Sequence, residues 1–388
     1  MAGKKKKIRI VADDRIPFLR GALDKVADVI YVPGKEMTNA LVKDADALII
    51  RTRTKCDEHL LQGSNVKFIA TATIGFDHID TNYSTRKRIS WTNAPGCNSS
   101  SVEQYLMASL LDISNKFHLD LNKTTLGVVG VGYVGSKVAS SARELGMKVL
   151  ENDPPRQRRE RSDHFVDLHS LKKKADIITF HVPLNCTGED KTFQLIDKEF
   201  FHDLDPGKII INTSRGEIMN EDILIEKLKD KTLLTSVIDV WNHEPDIDLE
   251  LLDLSAIATP HIAGYSVNGK LNGTAMSVQA VSRFFKLERD NWMPQNPPVP
   301  DNSKIILDCT GMKKEDIIRS VYEETYSIRE DDRRLREHPE KFEELRGSYP
   351  QRFEPSMYNV RLINPGDKEV NGIMEALGFS VLELDCFC

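Results

Sequence analysis

The stretch Thr125-Leu-Gly-Val-Val-Gly-Val-Gly-Tyr-Val-Gly-Ser-Lys-Val-Ala139 constrains the fold more than any other part of the chain. The apolar run Leu126–Val129 reads as a buried parallel strand, and Val134, Val138, Ala142 and Leu145 recur behind it at helical spacing. Between them Gly130, Gly132 and Gly135 stand at G-x-G-x-x-G spacing. In a strand–turn–helix unit the first glycine permits the tight turn. The second lets a pyrophosphate approach the backbone, and the third lets helix and strand pack closely. The helix start, where Tyr133 and Val134 stand, then offers free N–H groups and a partial positive charge to phosphate oxygens. A second apolar strand, Lys148–Glu151, leads to Asp153, 23 positions after Gly130. That is near the distance expected of a carboxylate that accepts from an adenosine ribose. The glycines alone also fit a tight turn with no ligand; the strand, helix and acidic residue around them favour a dinucleotide site.

The rest of the chain repeats the alternation of strand and helix. Apolar runs at Ile8–Val11, Val29–Val32, Ala47–Ile50, Lys67–Ala70 and Ile89–Trp91 read as strands of one open parallel sheet. Leu19, Leu23 and Val26 mark a helix face between the first two. After Pro95-Gly96 the pattern predicts a long helix over Ser99–Phe117. A second set of strands is expected at Leu126–Val129, Lys148–Glu151, Asp176–Phe180, Lys208–Asn212, Leu234–Ile238 and Ile257–Ala258, and a helix from about Val267 to Lys286. Residues 291–303 are rich in proline and read as a stiff linker. Beyond it lie strand patterns at Lys304–Leu307, Val360–Ile363 and Val381–Leu384, helices at Lys314–Tyr326 and Val370–Leu377, and a charged segment, Asp331–Leu345.

At 388 residues the chain exceeds one typical core, so two or three domains are expected. A formal net charge of −6 gives no overall pull toward nucleic acid or a membrane surface. No apolar run approaches the roughly 18 residues of a membrane span. The Lys4–Lys7 cluster reads as a solvated tail, because the apolar run after it is too short for a signal peptide. The six cysteines, Cys386-x-Cys388 included, are scattered without a C-x-x-C pair, which suits reduced thiols and a cytoplasmic location.

Three ionisable residues stand at or just after strand ends in the second set: Arg215, Glu244 and His261. In open α/β sheets ligands collect at the carboxyl ends of the strands. A guanidinium can grip a carboxylate bidentately, an imidazole can take a hydroxyl proton, and a carboxylate beside it can orient the ring and stabilise its charged form. Together these meet the needs of oxidising a 2-hydroxy acid with a nicotinamide cofactor. A second cationic patch, Arg51-Thr-Arg-Thr54, follows the strand Ala47–Ile50 and sets Arg51 and Arg53 beside hydroxyl donors, as a phosphate would require.

Residues 8 to about 287 resemble the D-isomer-specific 2-hydroxyacid dehydrogenase family, whose Arg–Glu–His set is matched by Arg215, Glu244 and His261. Ala70-Thr-Ala-Thr-Ile-Gly-Phe-Asp-His-Ile-Asp80, Ala94-Pro-Gly-Cys-Asn98, Asn152-Asp-Pro-Pro155 and His261-Ile-Ala-Gly-Tyr265 narrow the resemblance to members that act on a phosphorylated 2-hydroxy acid and carry an extra C-terminal domain. The resemblance implies two Rossmann-like parallel-sheet domains with a cleft between them, plus a small α+β C-terminal dimerisation domain that makes a homodimer. The substrate-binding domain would take residues 1–95 and 267–290, the NAD-binding domain 96–266, and the dimerisation domain 304–388. It further implies that Thr52, Thr73, Asn98 and Tyr265 touch substrate, that Asp153, Asp239 and Gly264 touch NAD, and that no metal is needed. Thr52 stands where serine is usual, which keeps the hydroxyl. Val182 stands where threonine is usual and would reach NAD through its backbone or not at all. Asp153 opposes a 2′-phosphate and favours NAD over NADP, while Arg156, Arg158 and Arg159 behind it read as a solvated loop. A dehydrogenase for another 2-hydroxy acid, such as phosphoglycerate, and an NAD-sensing binding protein on the same scaffold remain as alternatives.

Overall fold

The computed structural model describes residues 7–367 and 369–382. Lys4–Lys6 of the basic cluster, the last two residues of the strand expected at Val381–Leu384, and Cys386 and Cys388 lie outside the described residues. The chain gathers into two units, one formed by residues up to 98 with 267–298, the other by 99–266 with the residues from 299 on.

In the first unit β1 (Arg9–Asp13), β2 (Asp28–Val32), β3 (Ala47–Ile50), β4 (Phe68–Thr71) and β5 (Ser90–Thr92) form a parallel sheet in the order β2-β1-β3-β4-β5. β3 is an unbroken apolar run, and β4 is apolar up to Thr71, because both of their faces are buried. Ile10, Ala12, Ile49 and Ala70 turn to one face, where Leu19 and Leu23 pack with Val278 and Val281 of the helix Val267–Phe285. Val11, Leu48, Ile50 and Ile69 turn to the other, against Leu61 and Tyr83. Close approach of that helix depends on Gly273, where a Cβ would lie 2.8 Å from the Ala72 carbonyl oxygen. The helix expected between β1 and β2 is absent. Leu19 and Leu23 are buried, but Pro17, Phe18 at φ 64° and Gly21 at φ 86° break the segment into turns. A 3.6-residue apolar spacing met the needs of the core without a helix.

In the second unit β6 (Thr125–Val129), β7 (Lys148–Asn152), β8 (Ile177–Phe180), β9 (Lys208–Asn212), β10 (Leu233–Ile238) and β11 (Ile257–Ala258) form a parallel sheet in the order β11-β10-β9-β8-β6-β7. The order reverses between β6 and β8, and the glycine-rich turn sits at that switch point. The helix Ser99–Phe117 forms as the periodicity predicts and buries Tyr105, Leu106, Leu110 and Ile113 completely.

The C-terminal part has its own parallel sheet, β12 (Lys304–Asp308), β13 (Asn359–Ile363) and β14 (Ser380–Val381), in the order β12-β13-β14. Ile305, Val360 and Leu362 turn inward, whereas Ile306 on the opposite face is 65% exposed. The charged segment before β13 folds into the helices Ile328–Glu337 and Phe342–Gly347. Leu335 and Phe342 are buried in the same core as Val129 and Trp241, so this segment is not confined to a separate C-terminal core. It also covers an edge. Asp332 accepts from the Ala258 N–H at 2.7 Å, and Arg336 donates to the Leu252 and Ser255 carbonyls at 2.7 and 2.8 Å.

Candidate active site

Three loops at the carboxyl ends of β9, β10 and β11 carry Arg215, Glu244 and His261. They line one cavity of about 470 Å³ together with Gly216, Trp241 and Met219. The first two loops touch because Gly216 has no side chain: a Cβ there would lie 2.1 Å from the Trp241 carbonyl. Trp241 is buried and ties the third loop by donating its indole N–H to the Thr259 carbonyl at 3.0 Å.

His261 Nδ1 lies 2.9 Å from each carboxylate oxygen of Glu244. Glu244 Oε1 is held in turn by the Trp241 backbone N–H at 3.1 Å. With Nδ1 engaged, Nε2 is the ring nitrogen through which His261 can exchange a proton. Burial pushes the Glu244 carboxyl up, but the hydrogen bond and charge of His261, with the nearby Arg346 guanidinium, outweigh it and hold the carboxyl below its ordinary value. His261 itself takes φ 56°, in the left-handed region. Asp239 holds it there: its carbonyl accepts from the His261 N–H at 2.7 Å, and its carboxylate accepts from the Ile262 and Ala263 N–H groups at 2.7 and 3.0 Å. Asp239 is buried, so its carboxylate organises the loop from beneath. Gly264 and Tyr265 complete that loop half-buried, and the Tyr265 hydroxyl accepts from Arg346 Nε at 3.0 Å.

At the switch point Gly130 takes φ 85°, and a Cβ on it would lie 2.6 Å from the His181 carbonyl oxygen and 2.8 Å from Val182 Cγ1. Gly135 is tighter still, with the Gly130 carbonyl oxygen 2.0 Å from where a Cβ would stand. Gly132 has open space there, and Tyr133 beside it is 65% exposed. The helix Tyr133–Glu144 thus begins with its N–H groups unobstructed, which fits the pyrophosphate of a dinucleotide. Asp153 stands beside this turn, accepting from the Val131 N–H at 2.8 Å and the Arg156 N–H at 2.9 Å. Arg158 and Arg159 are exposed to solvent as expected and Arg156 is half-buried, but the segment is not a loop. They lie on the short helix Pro154–Glu160, Arg156 and Arg159 paired with Glu160 and Arg158 with Asp190.

The remaining expected substrate ligands, Arg51, Thr52, Arg53, Thr73 and Asn98, belong to the first unit. Arg51 is already engaged: its Nε and Nη2 donate at 3.1 and 3.2 Å to Asp13, whose carboxylate is fully buried. Thr52 and Arg53 are exposed at the end of β3, and Thr73 donates to the Gly75 carbonyl at 2.9 Å. Asn98 sits in the turn before the helix Ser99–Phe117. Among the described residues no group of three His, Cys, Asp or Glu side chains is placed to hold a metal ion. Sequence reasoning missed Gly216, whose signal is a glycine directly after a strand-end arginine. It also missed Arg346 and Arg352, which carry no local signal.

Residues 101–263 match the family model of the D-isomer specific 2-hydroxyacid dehydrogenase NAD-binding domain, and residues 298–378 match one described as a domain of unknown function. A protein of Bacteroides fragilis named erythronate-4-phosphate dehydrogenase is 53% identical over 91% of this chain and 99% of its own length. A protein of the same name from Bacteroides thetaiotaomicron is 48% identical over 91% and 99%. Among solved structures, NAD-bound 3-phosphoglycerate dehydrogenase of Entamoeba histolytica superposes with a TM-score of 0.62 at 25% identity, covering 75% of this chain and 99% of that one.

Proposed function

The chain belongs to the D-isomer-specific 2-hydroxyacid dehydrogenase family, among its erythronate-4-phosphate dehydrogenases, and we propose that it oxidises 4-phospho-D-erythronate in pyridoxine biosynthesis. The product is (R)-3-hydroxy-2-oxo-4-phosphooxybutanoate, and the cofactor is NAD. The observation that carries the reading is the Glu244–His261 pair, 2.9 Å apart in one cavity with Arg215. Arg215 grips the substrate carboxylate and sets C2 in place. His261 Nε2 takes the C2 hydroxyl proton, and Glu244 holds the ring and stabilises the imidazolium that forms. Bound NAD would supply the hydride acceptor for C2, so the two electrons would leave with the cofactor and the proton with His261. Gly130, Gly132, Tyr133, Val134 and Gly135 would hold its pyrophosphate and Asp153 its ribose.

For the substrate phosphate we assign Thr52, Arg53 and Thr73, with Arg51 as the brace that Asp13 holds. One face of the C-terminal sheet, which carries Ile306 at 65% exposure between Lys304 and Asp308, is left open; parallel sheets are ordinarily covered on both faces, and this supports a homodimer through that sheet. Cleavage near Pro297 would then reduce the particle to one subunit by light scattering. Buried free thiols at Cys56, Cys97 and Cys309 suit a cytoplasmic enzyme.

The test is NADH absorbance with a panel of acids. Turnover of 4-phosphoerythronate far above erythronate and phosphoglycerate is expected. Preference for phosphoglycerate would move the substrate assignment, and turnover of no acid would favour an NAD-sensing protein. Equal kcat/KM for erythronate and its 4-phosphate would remove the phosphate ligands.

A further inference from the structure

We propose that Arg346, from the region described as a domain of unknown function, is a positioning residue for the Glu244–His261 pair. The proposal rests on the dehydrogenase reading above and gives the C-terminal segment a part in catalysis.

The helix Phe342–Gly347 is anchored by Phe342, which is 1% exposed in the core of the second unit. That anchor turns Arg346 inward, leaving its side chain 16% exposed. Nε donates to the Tyr265 hydroxyl at 3.0 Å, and Nη1 stands 3.6 Å from Glu244 Oε2. The first contact is a hydrogen bond and the second a charge pair. Together they link the two loops that carry Glu244 and His261 to a third element 81 or more residues away in sequence. Glu244 is thereby offset twice for its loss of water, by the imidazole on one side and by a permanent cation on the other.

The same segment braces the His261 loop from behind. Arg352 is buried, with its guanidinium 4.5 Å over the Tyr326 ring, and donates Nη2 to the carbonyls of Ala263 and Ser101. Glu354 accepts from the Ser266 and Ser101 hydroxyls at 2.9 and 2.8 Å. Asp239 holds Ile262 and Ala263 by their N–H groups, and the C-terminal segment holds Ala263, Tyr265 and Ser266 by their other polar atoms. These contacts hold the loop from two sides, and His261 depends on that loop for its φ.

Arg346 therefore acts through Glu244 and touches no reacting atom. The charged groups around Glu244 are His261, Arg215, Glu217 and His243 in the cavity, Glu221 on the helix Glu221–Lys229, and Glu343 beside Arg346. Removing the guanidinium takes away a positive charge, so the pair takes up its extra proton more readily and the acidic limb of the rate profile moves to higher pH.

The experiment uses the full chain with Arg346→Met and Arg346→Lys. Arg346→Met is expected to lower kcat on the order of 10- to 100-fold. Its NAD dissociation constant should stay within about twofold of the wild type, with the acidic limb shifted upward. Arg346→Lys restores the charge without the fork, so the limb should return while kcat recovers only in part. Wild-type kcat with an unmoved limb in Arg346→Met would overturn the proposal. So would a rise in KM alone, which marks a substrate ligand. If Arg346→Met does not fold, Arg346→Lys carries the test through its KM-against-kcat split. Titration of the His261 ring followed by ¹⁵N resonances reads the pair without any substrate. A moved midpoint there in Arg346→Met supports the coupling even if the substrate reading fails, and an unmoved midpoint refutes it.

Discussion

Glu221→Gln is expected to stabilise the fold above neutral pH and to leave it unchanged in acid. Glu221 opens the helix Glu221–Lys229, is 9% exposed, and accepts from the Asn242 N–H at 2.8 Å beneath the loop that delivers Glu244. Burial pushes its carboxyl up from 4.5 to about 7; the Asn242 N–H pulls it down, and Asp248, Asp222 and Glu244 push it up. In the unfolded chain the group ionises near its ordinary value. Between those limits the folded protein keeps a proton that the unfolded chain has released. Stability therefore falls as pH rises through the window from about 4.5 to about 7, and the loss persists above it. Expressed in full, a displacement of ~2.5 pH units at ~1.4 kcal/mol each amounts to about 3–4 kcal/mol. Relaxation and water entry reduce it to on the order of 1–3 kcal/mol. Gln keeps a carbonyl oxygen for Asn242 and cannot ionise, so it removes the penalty. Urea unfolding at pH 4.5 and pH 8 reads the difference. The two proteins should match at the lower pH, and the variant should gain at the higher, with kcat little changed. The same difference at both pH values, or a less stable variant at pH 8, refutes the reasoning.

His261→Ala should lose on the order of 10²–10⁴ in turnover with NAD binding little changed; near-normal turnover removes His261 as the base. Asp153→Ala should narrow the preference for NAD over NADP, measured as a ratio of kcat/KM, because the carboxylate that opposes a 2′-phosphate is gone; wild-type use of NADP at equal kcat/KM contradicts the assignment. Gly135→Ala should weaken NAD binding and lower Tm together, since the backbone carbonyl of Gly130 stands 2.0 Å from the new methyl and must move; a calorimetric titration that matches wild type would show the turn to be more tolerant than its packing implies.

The glycine-rich turn could be read from the chain because sterics leave a mark on composition. Gly130 needs a positive φ and Gly135 admits no Cβ, and both demands act within six residues of sequence. Arg215, Glu244 and His261 could be found because strand ends in a parallel sheet converge on one side. Leu19 and Leu23 misled because burial and helical spacing coincide there without a helix. Arg156 misled because pairing with Glu160 is a property of a helix not foreseen in so short a stretch. Arg346 and Arg352 could not be found at all. Their partners, Tyr265 and Ala263, are 81 and 89 positions away, and no periodicity records a contact of that range. The segment around them showed only its outward face, the charges of Arg333 and Glu330, while Leu335 and Phe342 did the packing.

Asp332 and Arg336 close the edge of the sheet at β11, the strand that leads directly to His261. During synthesis that edge is made long before its cover. At ~5–20 residues per second the ribosome needs on the order of several seconds to pass from Ala258 to Arg336. Through that interval a strand with unsatisfied N–H groups is open to pairing with another nascent chain. The last quarter of the polypeptide therefore covers an edge that is made before it. A chain stalled or clipped before that point would expose this edge and be an aggregation hazard.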